Sequence, residues 1–292
     1  MSEVHTLHVD GHKLVAVALN APDTPGQPVI LLHGILGSVR FWGQDQIPTF
    51  LEQGPCYALS LPGHYPAAFP PDFQKEHLTA EMMGRVLAGA ISELVADQPV
   101  TLAGISTGGF AALAIAVYRP ELARRIISIS GFCQGRWTGV LGVNQWLARH
   151  GVVGRLFFRV RLSIGRIGPG VGYYMLRIYA ADAKAMYAYP GFRAASDVAY
   201  PDYRRLDLSH LADYFEVMPD IDICNLLPSI HVPTLVLAGD CDPVVPPDQA
   251  RLISQLIPGS ELVMIQGGGH LLFAERPVEY QQALGDWLRK TA

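Results

Sequence analysis

Short apolar runs alternate with longer amphipathic or alanine-rich stretches through much of the chain. Short continuous apolar runs are typical of strands buried on both faces of a sheet. The predicted buried strands are Val29–Leu32, Tyr57–Leu59, Val100–Ala103, Arg125–Ser130, Thr234–Ala238 and Glu261–Ile265. Helices are predicted between most of them, over 79–96, 109–119, 247–256 and 278–290. Strands that alternate with helices predict an α/β fold: a mostly parallel central sheet with helices on both faces.

The first residues follow an alternating polar and apolar pattern instead. Thr6–Val9 and Lys13–Val17 flank Asp10-Gly11, a dipeptide favoured in tight hairpin turns. The pattern predicts an antiparallel hairpin at a sheet edge. The histidines of this region recur too irregularly for a ligand set and are expected to be exposed: His5, His8 and His12.

The segment 98–118 carries no charge over 21 residues, a length that could cross a bilayer. Its internal pattern argues against a membrane span. A short β-type run is followed by the glycine-rich 104–109, and then by an alanine-rich run that ends before Pro120. This order predicts a strand, a turn and a buried helix.

Residues 131–230 interrupt the alternation with helical pieces, many aromatic residues and no convincing strand. We interpret this segment as an insertion into a core formed by 1–130 and 231–292. The insertion is charge-polarised, since 131–200 holds nine lysines and arginines against two acids, and 201–230 holds two arginines against six acids.

Composition narrows the classes of function. The 292 residues are 50% hydrophobic and 16% charged, which excludes intrinsic disorder and allows either two domains or one compact unit. The formal net charge of −4 gives no general attraction to nucleic acid. The four cysteines lack a Cys-x-x-Cys pair or zinc spacing, and no secretory signal is visible, so we expect no structural metal and a cytoplasmic location.

Gly104-Ile105-Ser106-Thr107-Gly108 matches the pattern G-x-S-x-G. The motif alone is a weak signal, but here it follows a predicted buried strand and opens a helix. In that setting a serine is held on a sharp, strained turn with its hydroxyl exposed above the sheet. We therefore interpret Ser106 as a nucleophile, the alternative being a helix N-cap.

A serine nucleophile needs a base, normally an imidazole oriented by a carboxylate. The loop after predicted strand 234–238 carries Asp240 and Asp242, and the loop after 261–265 ends in Gly267-Gly268-Gly269-His270. Chain order serine, acid, histidine is typical of one fold class. These residues are the candidate catalytic triad.

The sequence here resembles the α/β-hydrolase superfamily, specifically a serine hydrolase with a helical cap over the site. The resemblance covers about 1–130 and 231–292 and rests on four motifs: His33–Gly37, the elbow at Ser106, the loop 239–246 and the glycines before His270. It implies that Asp242 is the acid, with Asp240 the alternative. It also implies no cofactor and a small-molecule substrate, and we expect neither nucleic acid nor a membrane as a partner.

In this fold class one oxyanion-hole donor is the amide of the residue after the nucleophile, here Thr107. The resemblance places the second at the Ile35 amide. One departure from the family pattern is the stretch 60–65, which lacks an aspartate and a final glycine. Its His64 either touches the substrate or is a loop residue without a role.

A serine in place of the aspartate of epoxide hydrolases and haloalkane dehalogenases indicates acyl chemistry. The function expected first is cleavage of a small or medium, partly apolar ester or thioester through an acyl-enzyme on Ser106. C–C bond hydrolysis and acyl transfer use the same residues and stay open. A ligand-binding receptor that retains the triad also stays open.

Five arginines of the insertion accompany its aromatic residues: Arg149, Arg155, Arg159, Arg161 and Arg166. In a first interpretation Arg155 and Arg159, four residues apart on a helix, form a solvated face, while the apolar residues of that helix pack inward: Val153, Leu156, Phe157 and Val160. In a second, one or two arginines hold an anionic part of the substrate. In a third, the segment is a basic helix on an anionic membrane.

Overall fold

A computed structural model describes residues 3–43 and 46–292. Eight strands form one sheet in the order β1-β2-β4-β3-β5-β6-β7-β8. The strands are β1 Val4–Val9, β2 His12–Ala18, β3 Val29–Leu32, β4 Cys56–Leu59, β5 Val100–Ile105, β6 Ala123–Ile129, β7 Thr234–Gly239 and β8 Glu261–Ile265. The helices are α1 Pro48–Leu51, α2 Ala80–Val95, α3 Thr107–Tyr118, α4 Gly139–Arg149, α5 Gly151–Ile164, α6 Pro169–Met175, α7 Ala183–Ala188, α8 Phe192–Arg205, α9 Leu208–Val217, α10 Asp248–Leu256, α11 Leu272–Glu275 and α12 Pro277–Lys290.

The predicted α/β fold with a mostly parallel sheet is confirmed. Strands β3 to β8 are parallel to one another, whereas β1 pairs antiparallel with β2 and β2 antiparallel with β4. The predicted hairpin therefore lies at the sheet edge. The uncharged stretch 98–118 forms strand β5 and the buried helix α3, as predicted. No helix in 3–43 or 46–292 combines the length and the apolar character needed to cross a bilayer.

Two expectations about exposure are wrong. Strand β8 is an edge strand, so four of its five residues are only half-buried. His12 is buried, because its ring packs edge-on against Phe69 and Phe73. Burial outweighs the nearby Asp10 charge and lowers the pKa of His12.

The sheet register brings the carboxyl ends of the central strands together. Gly104 of β5 pairs with Leu32 of β3 on one side and with Ser128 of β6 on the other. Strand order reverses between β3 and β5, and such a switch point leaves a crevice above the strand ends where ligands bind in open α/β sheets. The loops after β3, β5, β7 and β8 all leave from this edge.

Six helices, α4 to α9, lie in the chain between β6 and β7. The inward face predicted for α5 is wrong. Its buried residues are Gly154, Phe158 and Leu162. The four residues expected inside are exposed instead: Val153, Leu156, Phe157 and Val160. Arg155 turns toward α9, where it is paired with Asp213 and Glu216.

Candidate active site

Ser106 occupies the turn between β5 and α3 with φ +57° and ψ −119°. A positive φ is a strained conformation for a residue with a β-carbon. The flanking glycines permit the turn, since a β-carbon on Gly104 would lie 2.1 Å from the Gly108 carbonyl oxygen, and one on Gly108 would lie 2.1 Å from the Leu32 carbonyl oxygen. The sequence predicts this close approach of strand and helix.

Ser106 is 3% exposed, and its hydroxyl has no hydrogen-bond partner within residues 3–43 and 46–292. Although Ser106 is the residue before α3, its hydroxyl makes no capping hydrogen bond to that helix. The geometry therefore gives no support to the N-cap alternative. A buried hydroxyl left without a partner is available to a substrate.

Asp242 and His270 are paired with each other. His270 Nδ1 is 2.7 Å from Asp242 Oδ2, and both side chains are buried. The other carboxylate oxygen, Oδ1, accepts hydrogen bonds from the Val244 and Val245 amides, each at 2.9 Å. These contacts fix the carboxylate so that it can orient the imidazole. This is the arrangement that a general base requires.

Asp240, the alternative acid, does not contact His270. Its Oδ1 accepts a hydrogen bond of 2.7 Å from the Gly267 amide, and its side chain is exposed. That bond ties the loop after β7 to the loop after β8. The geometry therefore favours Asp242 as the acid and gives Asp240 a role in loop structure.

Glu275 holds the loop that carries His270. Its carboxylate is buried and accepts four backbone hydrogen bonds, from Gly269, Leu271, Ala181 and Asp182. The first two donors flank His270, and the other two belong to the segment between α6 and α7. Sequence reasoning missed Glu275, since no motif marks a carboxylate that binds only backbone amides.

The two candidate oxyanion donors belong to residues close to Ser106. Gly34 approaches so closely that a β-carbon there would lie 3.9 Å from the Ser106 hydroxyl oxygen, and Ile35 follows it directly. Thr107 is the first residue of α3, where backbone N–H groups have no partner inside the helix and carry partial positive charge. No hydrogen bond within the described residues uses either amide.

Two buried histidines support the Ile35 loop. His33 accepts a hydrogen bond from the Leu61 amide through Nε2, and its Nδ1 lies 2.8 Å from the Gly34 carbonyl oxygen. His64 Nε2 lies 2.6 Å from the Ile35 carbonyl oxygen. Burial lowers the pKa of His64 and lowers that of His33 to about 3, so the His33 ring is neutral near pH 7. His64 thus contacts the backbone of a candidate oxyanion residue, rather than standing in the cavity wall.

A cavity of about 210 Å³ opens above Ser106. Ser106, His270 and Ile35 line its floor, and most of the remaining wall comes from α4, α5, α6 and α8 together with the segment that follows α6. Its lining is mainly apolar and aromatic, including Phe41, Leu141, Leu162, Met175, Tyr179 and Phe273. Such a cavity can enclose a small, partly apolar molecule with its reacting group beside Ser106.

Comparison with known proteins places this geometry in a family. The alpha/beta hydrolase family matches residues 29–283. RutD of Pseudomonas syringae, named as a carbamate hydrolase by inference, is 26% identical over 89% of this chain and 93% of its own length. A pimeloyl-[acyl-carrier protein] methyl ester esterase from Neisseria meningitidis is 26% identical over 84% of this chain and 87% of its own.

A solved structure has the same fold over nearly its whole length. The enol-lactonase of Burkholderia xenovorans covers 98% of this chain and all of its own, with a TM-score of 0.75 at 19% identity. Strand order, the strained elbow and the match over 29–283 agree. The chain belongs to the alpha/beta hydrolase family and is a hydrolase.

Proposed function

We propose that this hydrolase cleaves a small or medium, partly apolar carboxylic ester or thioester through an acyl-enzyme on Ser106. The observation that carries the proposal is the buried Asp242–His270 hydrogen bond in the same site as a strained serine whose hydroxyl has no protein partner. The relatives named as an ester hydrolase and a carbamate hydrolase support acyl chemistry at this site.

In the proposed reaction the Ser106 oxygen attacks the substrate carbonyl while His270 Nε2 takes the serine proton. The carbonyl electron pair moves to oxygen, and the Ile35 and Thr107 amides donate hydrogen bonds to that oxyanion. The intermediate collapses when His270 returns the proton to the leaving alcohol or thiol, which departs and leaves an ester on Ser106. A water molecule then attacks the ester on Ser106 while His270 takes the proton from that water. His270 returns the proton to the Ser106 oxygen, and the carboxylic acid is released.

Specificity is assigned to the segment 131–230, which we take to be the cap. Its helices supply most of the cavity wall away from the strand ends, while Ser106, Asp242 and His270 come from the sheet loops. The cap therefore selects substrates by chain length and shape, and the core sets the reactivity of Ser106.

The test is Ser106→Ala, assayed with a p-nitrophenyl ester under multiple turnover. Loss of the nucleophile is expected to lower kcat by on the order of 10⁶, with the melting temperature unchanged. Mass spectrometry of the wild-type protein treated with a fluorophosphonate should place the adduct on Ser106. Activity of the variant within about tenfold of wild type would refute the mechanism, and a labelled serine without multiple turnover would favour the receptor alternative.

A further inference from the structure

We propose that Arg161 binds an anionic group of the substrate, so that the preferred substrate is an ester whose apolar chain carries a carboxylate away from the scissile bond. This inference rests on the proposed function and deepens it. It gives Arg161 of the cap a role in binding and narrows the substrate to esters that carry a carboxylate.

Arg161 lies in the last turn of α5 and is half-buried in the wall of the cavity that Ser106 and His270 also line. Among the described residues of that wall it is the only aspartate, glutamate, lysine or arginine. A guanidinium in a mainly apolar wall is costly to desolvate unless an opposite charge meets it.

The other cap arginines that sequence analysis singles out have partners. Arg149 pairs with Asp220, Arg155 with Asp213 and Glu216, Arg159 with the Ser209 hydroxyl, and Arg166 with the Leu206 carbonyl. Within residues 3–43 and 46–292, Arg161 has neither a hydrogen bond nor an ion pair to a protein group. Arg204 also lacks both, but it is exposed and lies outside the cavity wall.

Two tyrosines of the same cavity wall, Tyr179 and Tyr203, offer groups that are polar but uncharged. Burial raises the pKa of Tyr179, and the charge of Arg161 opposes that rise only in part, so the Tyr179 hydroxyl is neutral. The Tyr203 hydroxyl already donates to the Leu162 carbonyl. The positive charge of Arg161 is therefore not cancelled by these neighbours.

A carboxylate fits this site better than a phosphate ester. A guanidinium presents paired N–H groups that match the two oxygens of a carboxylate, and one arginine balances one negative charge. A phosphate monoester carries close to two charges near neutral pH and would need a second cation, which the described wall lacks. The apolar remainder of the cavity would enclose the chain between carboxylate and ester.

The experiment compares monomethyl suberate with dimethyl suberate, two esters of the same chain that differ in one negative charge. The variants are Arg161→Gln and Arg161→Lys, with Arg159→Gln as the matched control on the same helix. We expect Arg161→Gln to lower kcat/KM for the monoester at least about tenfold, mainly through KM, and to leave the diester within about twofold. Arg161→Lys should lose less, and Arg159→Gln should change neither substrate.

An equal loss for both esters, or no loss for either, would overturn the role of Arg161 while leaving the proposed function intact. If the wild-type protein hydrolyses neither these esters nor p-nitrophenyl acetate, the proposed function fails instead. Calorimetric binding of monomethyl suberate then decides the role of Arg161. Binding that Arg161→Gln abolishes and Arg159→Gln retains would support it, and equal binding by all proteins would overturn it.

Discussion

At the scale of single residues, the two oxygens of the Asp242 carboxylate have separate tasks. Oδ1 accepts two backbone hydrogen bonds from its own loop, and Oδ2 meets His270 Nδ1. An amide at this position could keep one set of contacts only by losing the other. If its oxygen stayed on the Val244 and Val245 amides, its NH₂ group would face His270 and favour the wrong tautomer.

We therefore predict that Asp242→Asn lowers kcat by on the order of 10⁴, because the imidazole loses its orientation. Asp240→Asn is the matched control: it removes a charge two residues away, from a carboxylate that accepts from the Gly267 amide and is also hydrogen-bonded to the Cys241 side chain. It should keep kcat within about tenfold. Steady-state kinetics on one p-nitrophenyl ester measures both, and the reverse ranking would make Asp240 the acid.

Motifs locate Ser106 and His270 because each stands at a strand end with glycines beside it, and glycine spacing is visible in a sequence. No such spacing marks Glu275, and the sequence leaves the role of His64 open. Each acts on the backbone of another loop, Glu275 on the amides around His270 and His64 on the Ile35 carbonyl. Which loop a buried polar side chain meets depends on packing between distant segments, and no local pattern records that.

At the scale of elements, the sequence identifies buried strands more directly than it identifies the buried faces of helices. A strand such as β5 is buried on both faces, so an apolar run identifies it without knowledge of its neighbours. Helix α5 carries apolar residues on more than one side. The buried side holds Phe158 and Leu162, and another holds Val153 and Leu156. The partner decides between the sides: α9 offers Phe215 to Phe158.

The orientation of α5 gives a prediction on two adjacent phenylalanines. Phe158 is fully buried against Phe215, whereas Phe157 is 60% exposed. Phe158→Ala should lower the free energy of unfolding by about 3–5 kcal/mol, as expected for a large side chain lost from a core. Phe157→Ala should change it by about 0.5 kcal/mol or less. Urea denaturation measures both, and equal losses would show that α5 is packed by its other face.

At the scale of the whole molecule, the burial of His33 links stability to pH. His33 is fully buried between the loops after β3 and β4, with a folded-state pKa of about 3 against 6.5 for an ordinary histidine. Between these values the unfolded chain binds a proton that the folded chain does not. The stabilisation is complete above about pH 6.5 and is lost as the pH falls.

As the pH falls from about 6 to about 4, protonation of His33 in the unfolded chain should lower the free energy of unfolding. We predict a loss of up to about 1.4 kcal/mol for each pH unit from this residue alone. Urea denaturation of the wild type and of His33→Gln at several pH values isolates this slope. A glutamine can still accept from the Leu61 amide and donate to the Gly34 carbonyl, as His33 does, but it does not titrate. The variant should therefore have a shallower dependence on pH even if it is less stable at pH 7.

His8→Gln is the control, because His8 lies exposed on the edge hairpin, and its slope should equal that of the wild type. If His33→Gln folds too poorly to measure, His64→Gln gives the same test, since burial lowers the pKa of His64 as well. If the variant loses stability with falling pH as steeply as the wild type does, the folded wild-type protein must take up a proton at the substituted histidine. The loop that carries Ile35 would then change its hydrogen bonds on acidification, and activity would fall with it.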